Sequence, residues 1–439
     1  MAGVRPDEAL VALPDGTTKQ RNPFTGTQVW TVPGRGNRPL ASPTIDARPL
    51  LAGEERRFCA FCSERYLDTP PEKSRVVNAS GTMMEVKGLM ARELQETVAE
   101  FRRIPNLFEI LPLPYWTQNH GFQPPAEDEQ RARDYVSDEA GERHLTALVE
   151  ARAKAAGIEK ENGLEEIVKI SLGWFSSGHE LVVPRRHFVE EAVSTDQLAS
   201  SGTLAVEEHR QYLRMTLDAM AHLYRANSHV RYVATFQNWL KPAGASFDHL
   251  HKQVVAIDEH GQDVEAIAAA LARDANACNV LGLDIALEHG LVLAENDHAV
   301  AWVGFGHRYP TVEVWSRSSR RPWEQSDEQV AAMSDLVHAM HAASGPEIPC
   351  NEEWTHRPPD VAELVPWRVE VVWRISTLAG FEGSTGIYLN TISPWSLRDR
   401  LLPKLRTLRQ QRAIADVRLG DECGIQRGAL PTSCSMASP

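Results

Sequence analysis

Asn238-Trp-Leu-Lys-Pro-Ala-Gly-Ala-Ser-Phe-Asp-His249-Leu-His251-Lys-Gln253 is the stretch whose reading decides both fold and chemistry. The run Val230 to Phe236 enters it as a strand, and His249 to Ile257 leaves it as another. Alternation along the second strand sends His249 and His251 toward one face, so one ring can grip a metal while the other points past it. Small residues around Gly244 let backbone N–H groups approach a phosphate closely, and Ser246 and Gln253 add neutral donors beside it. A neutral imidazole attacks phosphorus when its proton is held on the other ring nitrogen by a backbone carbonyl; His251 is the candidate nucleophile.

The metal would come from a distant pair. Cys59-Ala-Phe-Cys62 supplies two thiolates on one side of a tetrahedral ion, the geometry zinc prefers. His249 is the expected fourth ligand, and the third is His187, at the exit of the strand-like Val182-Val-Pro, with His179 as a competitor. Arg35 and Arg38 stand in a turn, where they could neutralise a second phosphoryl group. Together these residues point to an enzyme that moves a nucleotidyl group through a phosphohistidine.

Composition narrows the alternatives. A net charge of -13 argues against general nucleic-acid binding, which needs a basic surface to neutralise phosphates. No apolar run approaches ~20 residues, so no membrane span is expected. The residues around Arg5 lack the apolar core of a secretory signal. Six cysteines in 439 residues, one close pair among them, fit a reducing cytoplasm better than a disulfide scaffold.

A chain of this length is expected to hold two units. Strands are expected at Gln28 to Val32, Arg75 to Asn78, Val168 to Trp174 and His179 to Val183, and a helix over Leu204 to Arg225. Leu89, Met90, Leu94, Val98 and Phe101 mark a helical face within a largely helical insertion at 80–165. A second round follows: a helix from Val264, strands Ala299 to Phe305 and Thr311 to Ser316, a helix capped at Ser326 and strands Arg368 to Ile375 and Gly386 to Leu389. Two such rounds predict a duplicated α+β fold with halves 1–260 and 261–410, and an unstructured tail over 411–439. His338 and His341 read as a solvated pair on a helix, and His298 and His307 as histidines without partners.

The motif order resembles the galactose-1-phosphate uridylyltransferase family of the histidine-triad superfamily, in a divergent branch. It is carried by Asn22-Pro-Phe-Thr-Gly26, Arg35-x-x-Arg38-Pro, the cysteine pair, Thr69-Pro-Pro-Glu72, Asn78, His179-Glu-x-x-Val183 and Asn238-x7-Ser246-x2-His249-x-His251-x-Gln253. Ala379-Gly-Phe-Glu382 and Thr385-Gly-Ile-Tyr-Leu-Asn390 resemble the family's second half. The resemblance implies a tandem histidine-triad α+β fold, its mainly antiparallel sheet flanked by helices. It makes His251 the residue that becomes nucleotidylated and gives Zn2+ the ligands Cys59, Cys62, His187 and His249. Asn238, Ser246 and Gln253 would hold the phosphoryl groups, and Arg35, Arg38 and Asn78 would make further nucleotide contacts. The implied substrates are a nucleotide sugar and a sugar 1-phosphate, in a homodimer.

Departures leave other readings open. The family's His-Pro-His-Gly-Gln becomes His249-Leu-His251-Lys252-Gln253, where Lys252 could add positive charge for the phosphate. Its later histidine-bearing strand becomes Pro366-Trp-Arg-Val-Glu370, which puts a second, iron-type metal site in doubt. A phosphorylase or hydrolase acting on nucleotide sugars or dinucleotides would use the same residues. A zinc-stabilised nucleotide-binding protein would not need a positioned His251.

Overall fold

The computed structural model describes residues 5–34, 47–157 and 163–432. A small sheet near the N-terminus joins β1 (Leu10–Ala12), β2 (Thr18–Arg21) and β3 (Gln28–Thr31) to a late strand, β15 (Ile387–Leu389), which pairs with β3 in parallel. The other strands form one twelve-stranded sheet. Its first-half members are β4 (Ser74–Ala79), β5 (Thr82–Lys87), β6 (Ala99–Pro105), β7 (His179–Pro184), β8 (Tyr232–Trp239) and β9 (Lys252–Ile257). Its second-half members are β10 (Val292–Glu295), β11 (Ala299–Val303), β12 (Thr311–Ser316), β13 (Cys350–Thr355), β14 (Arg368–Trp373) and β16 (Arg418–Leu419).

Read across, the order is β5-β4-β6-β7-β9-β8-β13-β14-β12-β11-β10-β16, antiparallel throughout. The order is mirrored about β8 and β13. On one side β6, β7, the helix Val206–Ala226, β8 and β9 follow in sequence; on the other, β11, β12, the helix Asp327–Ser344, β13 and β14 do the same. This is the expected duplicated α+β architecture. The Asp327–Ser344 helix starts where expected, with Ser326 and Gln329 exchanging side-chain and backbone bonds.

The two long helices share one face of the sheet and pack on each other, tied by Arg210 to Asp335 at 2.8 Å and His209 to Ser334 at 2.7 Å. Beneath them the seam between the halves is polar. Lys252 is fully buried, its Nζ 2.5 Å from Glu352 and 3.2 Å from Gln237 Oε1. His341 Nε2 and Trp354 Nε1 donate to the same carboxylate, at 2.8 and 2.6 Å. Burial alone would raise the Glu352 pKa, but Lys252 and His341 hold it well below the usual carboxylate range. Lys252 thus points under the helices, on the opposite face of β9 from Gln253, and its charge is taken up by Glu352, so it adds none for a phosphate.

Several expectations need correcting. Leu89 to Phe101 is not a helix; Phe101 lies in β6, and the apolar spacing before it belongs to turns and a single 3-10 turn at Ala91–Glu93. The helical insertion runs instead from Leu113 to Phe175. Val168 to Trp174 belongs to the helix Leu164–Phe175, because Ile167, Val168, Ser171 and Trp174 fall on one buried stripe. His338 and His341 are buried, and His338 Nε2 donates to the Leu204 carbonyl at 2.8 Å. Beyond residue 410 the chain is packed as far as it is described: β16 pairs with β10, and Asn279 holds both backbone groups of Leu430.

Breaking a buried ion pair strands the remaining charge in a low-dielectric interior. Lys252→Met should therefore lower stability by about 3–5 kcal/mol in chemical unfolding, and adding Glu352→Gln should recover much of the loss.

Candidate metal centre and nucleophile

Three parts of the chain converge at one end of β7 and β9. Cys59 and Cys62 lie in a tight loop closed by the Cys62 N–H on the Cys59 carbonyl at 3.0 Å. His187 follows β7 by three residues, and His249 precedes β9 by three. Their donor atoms all lie within 4.8 Å of one another. The sulfurs are 3.8 Å apart; His249 Nδ1 is 3.5 and 3.8 Å from them, and His187 Nδ1 is 3.7 Å from Cys62 Sγ.

A tetrahedral ion at about 2.3 Å from sulfur and about 2.0 Å from nitrogen would separate the sulfurs by about 3.8 Å and each sulfur–nitrogen pair by about 3.5 Å. The four residues fit a metal ion. The thiols share one proton: the hydrogen bond from Cys59 holds Cys62 far below the usual thiol range, helped by His187 and His249, and with burial pushes Cys59 above it, so an ion would displace the Cys59 proton on binding. Burial lowers the His187 pKa and favours its neutral ring. His249 Nε2 donates to the Pro184 carbonyl at 2.8 Å, which fixes Nδ1 as the ligating atom. His179, the competing ligand, is not in the cluster.

His251 is held by the same segment. Its Nδ1 donates to the His249 carbonyl at 2.8 Å, leaving Nε2 without a hydrogen bond among the described residues. Burial lowers its pKa to about 4, so the ring is neutral and Nε2 keeps its lone pair. Phe61, from the cysteine loop, lies against it at 5.3 Å between ring centroids, and Phe247 packs on Phe61 from the exposed side. Neither histidine belongs to a strand: β9 begins only at Lys252, so backbone turns rather than alternation separate the two rings.

Gln253 is the first outward residue of β9. The backbone N–H of Ile110 donates to His179 Nδ1 at 3.2 Å, and His179 Nε2 lies 3.0 Å from Gln253 Oε1 and 3.1 Å from the Asn106 amide nitrogen. In the preceding loop Leu240 and Gly244 both take positive φ, +65° and +88°, and the backbone N–H groups of Ser246 and Phe247 find no backbone acceptor among the described residues. Ser246 is exposed on that loop.

Other expected contacts are not brought here. Asn78 is exposed on the β4–β5 hairpin, its carboxamide accepting from Gly81 N at 2.8 Å, and its strand lies three spacings, roughly 14 Å, from β9. Arg35 and Arg38 lie outside the described residues. His307, expected to lack partners, bonds to Glu313 at 2.8 Å and lines a polar cavity of about 920 Å³ with Glu370, Arg308, Arg374 and Asn351. His307, Glu313 and Glu370 form a second compact cluster, with Arg368 3.0 Å from Glu370. Although burial opposes charge on His307, Glu370 and Glu313 raise its pKa to about 9, so the cluster neutralises itself. Only the pairing of β12 with β14, which sets Glu313 opposite Glu370, creates it.

The duplicated α+β architecture is a fold shared with solved GalT-like structures. An ADP-glucose phosphorylase from Arabidopsis thaliana, solved with bound ADP-glucose, shares the fold at a TM-score of 0.58 and 17% identity, covering 88% of this chain and 98% of its own. A GalT-like protein from Arabidopsis thaliana does so at 0.54 and 16%, with the same coverage. The chain belongs to the family described as Domain of unknown function (DUF4921), whose model matches residues 13–431. No curated protein matches it.

Elemental analysis of the purified protein should find about one divalent transition-metal ion per chain. Cys62→Ser should lose most of that metal and lower the melting temperature, because metal binding is coupled to folding.

Proposed function

We propose that this protein is a nucleotidyltransferase that passes a nucleoside monophosphate between a nucleotide sugar and a sugar 1-phosphate through His251. The observation that carries the reading is the His251 Nδ1–H bond to the His249 carbonyl, on a residue whose own ring faces two thiols. Zinc is the ion this Cys2His2 set favours, and in a closed four-ligand site its contribution is rigidity. That rigidity holds the His249 carbonyl still, and with it the plane of the His251 ring.

In the first step the Nε2 lone pair attacks the α-phosphorus, the N–P bond forms, and the bond from phosphorus to the β-phosphoryl oxygen breaks. Sugar 1-phosphate leaves with that electron pair. The phosphorylated imidazole carries a positive charge, which the His249 carbonyl stabilises through Nδ1–H. In the second step a phosphate oxygen of the acceptor attacks the same phosphorus and the N–P bond breaks, returning His251 to its neutral form. Gln253, Ser246 and the free loop N–H groups supply neutral donors for the non-bridging oxygens, whose bonds tighten as charge shifts in the transition state.

A second reading has inorganic phosphate as the acceptor, which makes the protein a nucleotide-sugar phosphorylase; the fold match to ADP-glucose phosphorylase favours it. The base and the sugar are part of neither reading.

Incubation with α-labelled UDP-glucose or ADP-glucose and an alkaline quench should leave acid-labile label on the wild-type chain. His251→Gly should abolish it, a loss of at least ~10³-fold. Discharge of the label by phosphate rather than by sugar 1-phosphate would select the phosphorylase. A metal-loaded protein that takes no label from either sugar nucleotide would reduce the site to a binding module.

A further inference from the structure

The amides that would meet a phosphate have a fixed polarity, and for Asn238 that polarity is set from the other half of the molecule. Asn238 stands at the end of β8, opposite Asn351 of β13. Asn351 is 5% exposed; its Nδ2 donates to Asn238 Oδ1 at 2.7 Å and to the Ala243 carbonyl at 2.8 Å. Its Oδ1 accepts from Arg374 Nη1 at 2.7 Å. Arg374 in turn lies over the Tyr309 ring at 4.7 Å.

Each end of this chain of bonds has only one possible sense. A guanidinium can donate and never accept, and a backbone carbonyl can accept and never donate. Arg374 therefore takes the oxygen of Asn351, Ala243 takes its nitrogen, and the remaining N–H must go to the oxygen of Asn238. What Asn238 has left is Nδ2, which makes no hydrogen bond among the described residues. That nitrogen lies 3.9 Å from where a Cβ would stand on Gly244, within the loop whose free N–H groups were described above.

We infer that Arg374 and Asn351 are positioning residues that make Asn238 present an N–H donor, not an oxygen, to the phosphoryl group bound at the 240–251 loop. The inference rests on the nucleotidyl-transfer reading. It explains why an anion would be received by an uncharged amide in a protein of net charge -13, with the arginine one residue removed. It also gives the second half a part in the chemistry of the first: a relay across the β8–β13 seam. Asn351→Asp reverses the relay, because a carboxylate between Arg374 and Asn238 can only accept and turns the Asn238 amide so that its oxygen faces the phosphate.

The test measures the rate of covalent labelling from α-labelled UDP-glucose and ADP-glucose, together with UDP and ADP binding, metal content and melting temperature. Asn351→Asp and Arg374→Met should slow labelling by ~100-fold or more, the scale for losing one preorganised donor, with metal content unchanged. Arg374→Lys, still a pure donor, should stay within ~10-fold of wild type. In an Asn238→Ala background, Asn351→Asp should cost little more, since the group it acts through is gone. If the wild type labels and Asn351→Asp labels equally fast, or costs as much with Asn238 absent, the relay is wrong and the functional reading stands. If the wild type neither labels nor binds UDP or ADP, the functional reading falls and takes the relay with it.

Discussion

His249 is tied down at three points, and the rest of the site follows from that. Its Nδ1 faces the two sulfurs, its Nε2 is bonded to the Pro184 carbonyl, and its own carbonyl holds the His251 ring. Cysteine–histidine cluster, strand end and candidate nucleophile are therefore a single rigid piece, with one residue, Leu250, between the two histidines. The same requirement explains why the segment is not a strand. Ladder geometry would stack the two imidazoles on one face, whereas here one ring turns to the thiols and the other, the candidate nucleophile, turns away from them.

The two faces of the sheet handle polarity in opposite ways. Under the paired helices, charge is present but internally cancelled: Lys252 with Glu352, and Glu352 with His341. On the outward face around the loop stand neutral amides, and the orientation of Asn238 is set through Asn351 by the Arg374 guanidinium and the Ala243 carbonyl, each with a single hydrogen-bonding sense. Buried polar groups of this kind serve only when every partner is supplied, and here the partners come from β7, β13 and the residue that follows β14. Donors preset in this way would need no reorganisation if charge shifted on a bound phosphoryl group.

Much of the site was legible in the sequence because its residue types are rare and their spacing is local. A cysteine pair three positions apart, and two histidines two positions apart with a glutamine two further on, leave few other uses for those side chains. The helix Val206–Ala226 and the capped helix at Ser326 were legible for a similar reason, since their periodicity runs long. Short apolar runs were not. Leu89 to Phe101 fits a helical stripe by count, yet Phe101 belongs to a strand, and Val168 to Trp174 is β-branched enough to imitate one while lying in a helix. Cys350-Asn-Glu-Glu-Trp-Thr355, the seam strand, carries no such mark, since two adjacent acids interrupt any apolar alternation. Glu352 is buried only because a lysine a hundred residues earlier meets it. The cluster around His307 has the same origin: it exists by register, and register between distant strands leaves no local mark.

The seam also bears on inheritance. The lysine immediately after His251 is housed by an acid contributed by the opposite half, so positions 252 and 352 are under joint constraint. A lineage that lost the acid would have to exchange the lysine for a small or apolar residue at nearly the same time. Chimeras assembled from the N-terminal half of one relative and the C-terminal half of another would succeed only where both parents had settled that pair alike.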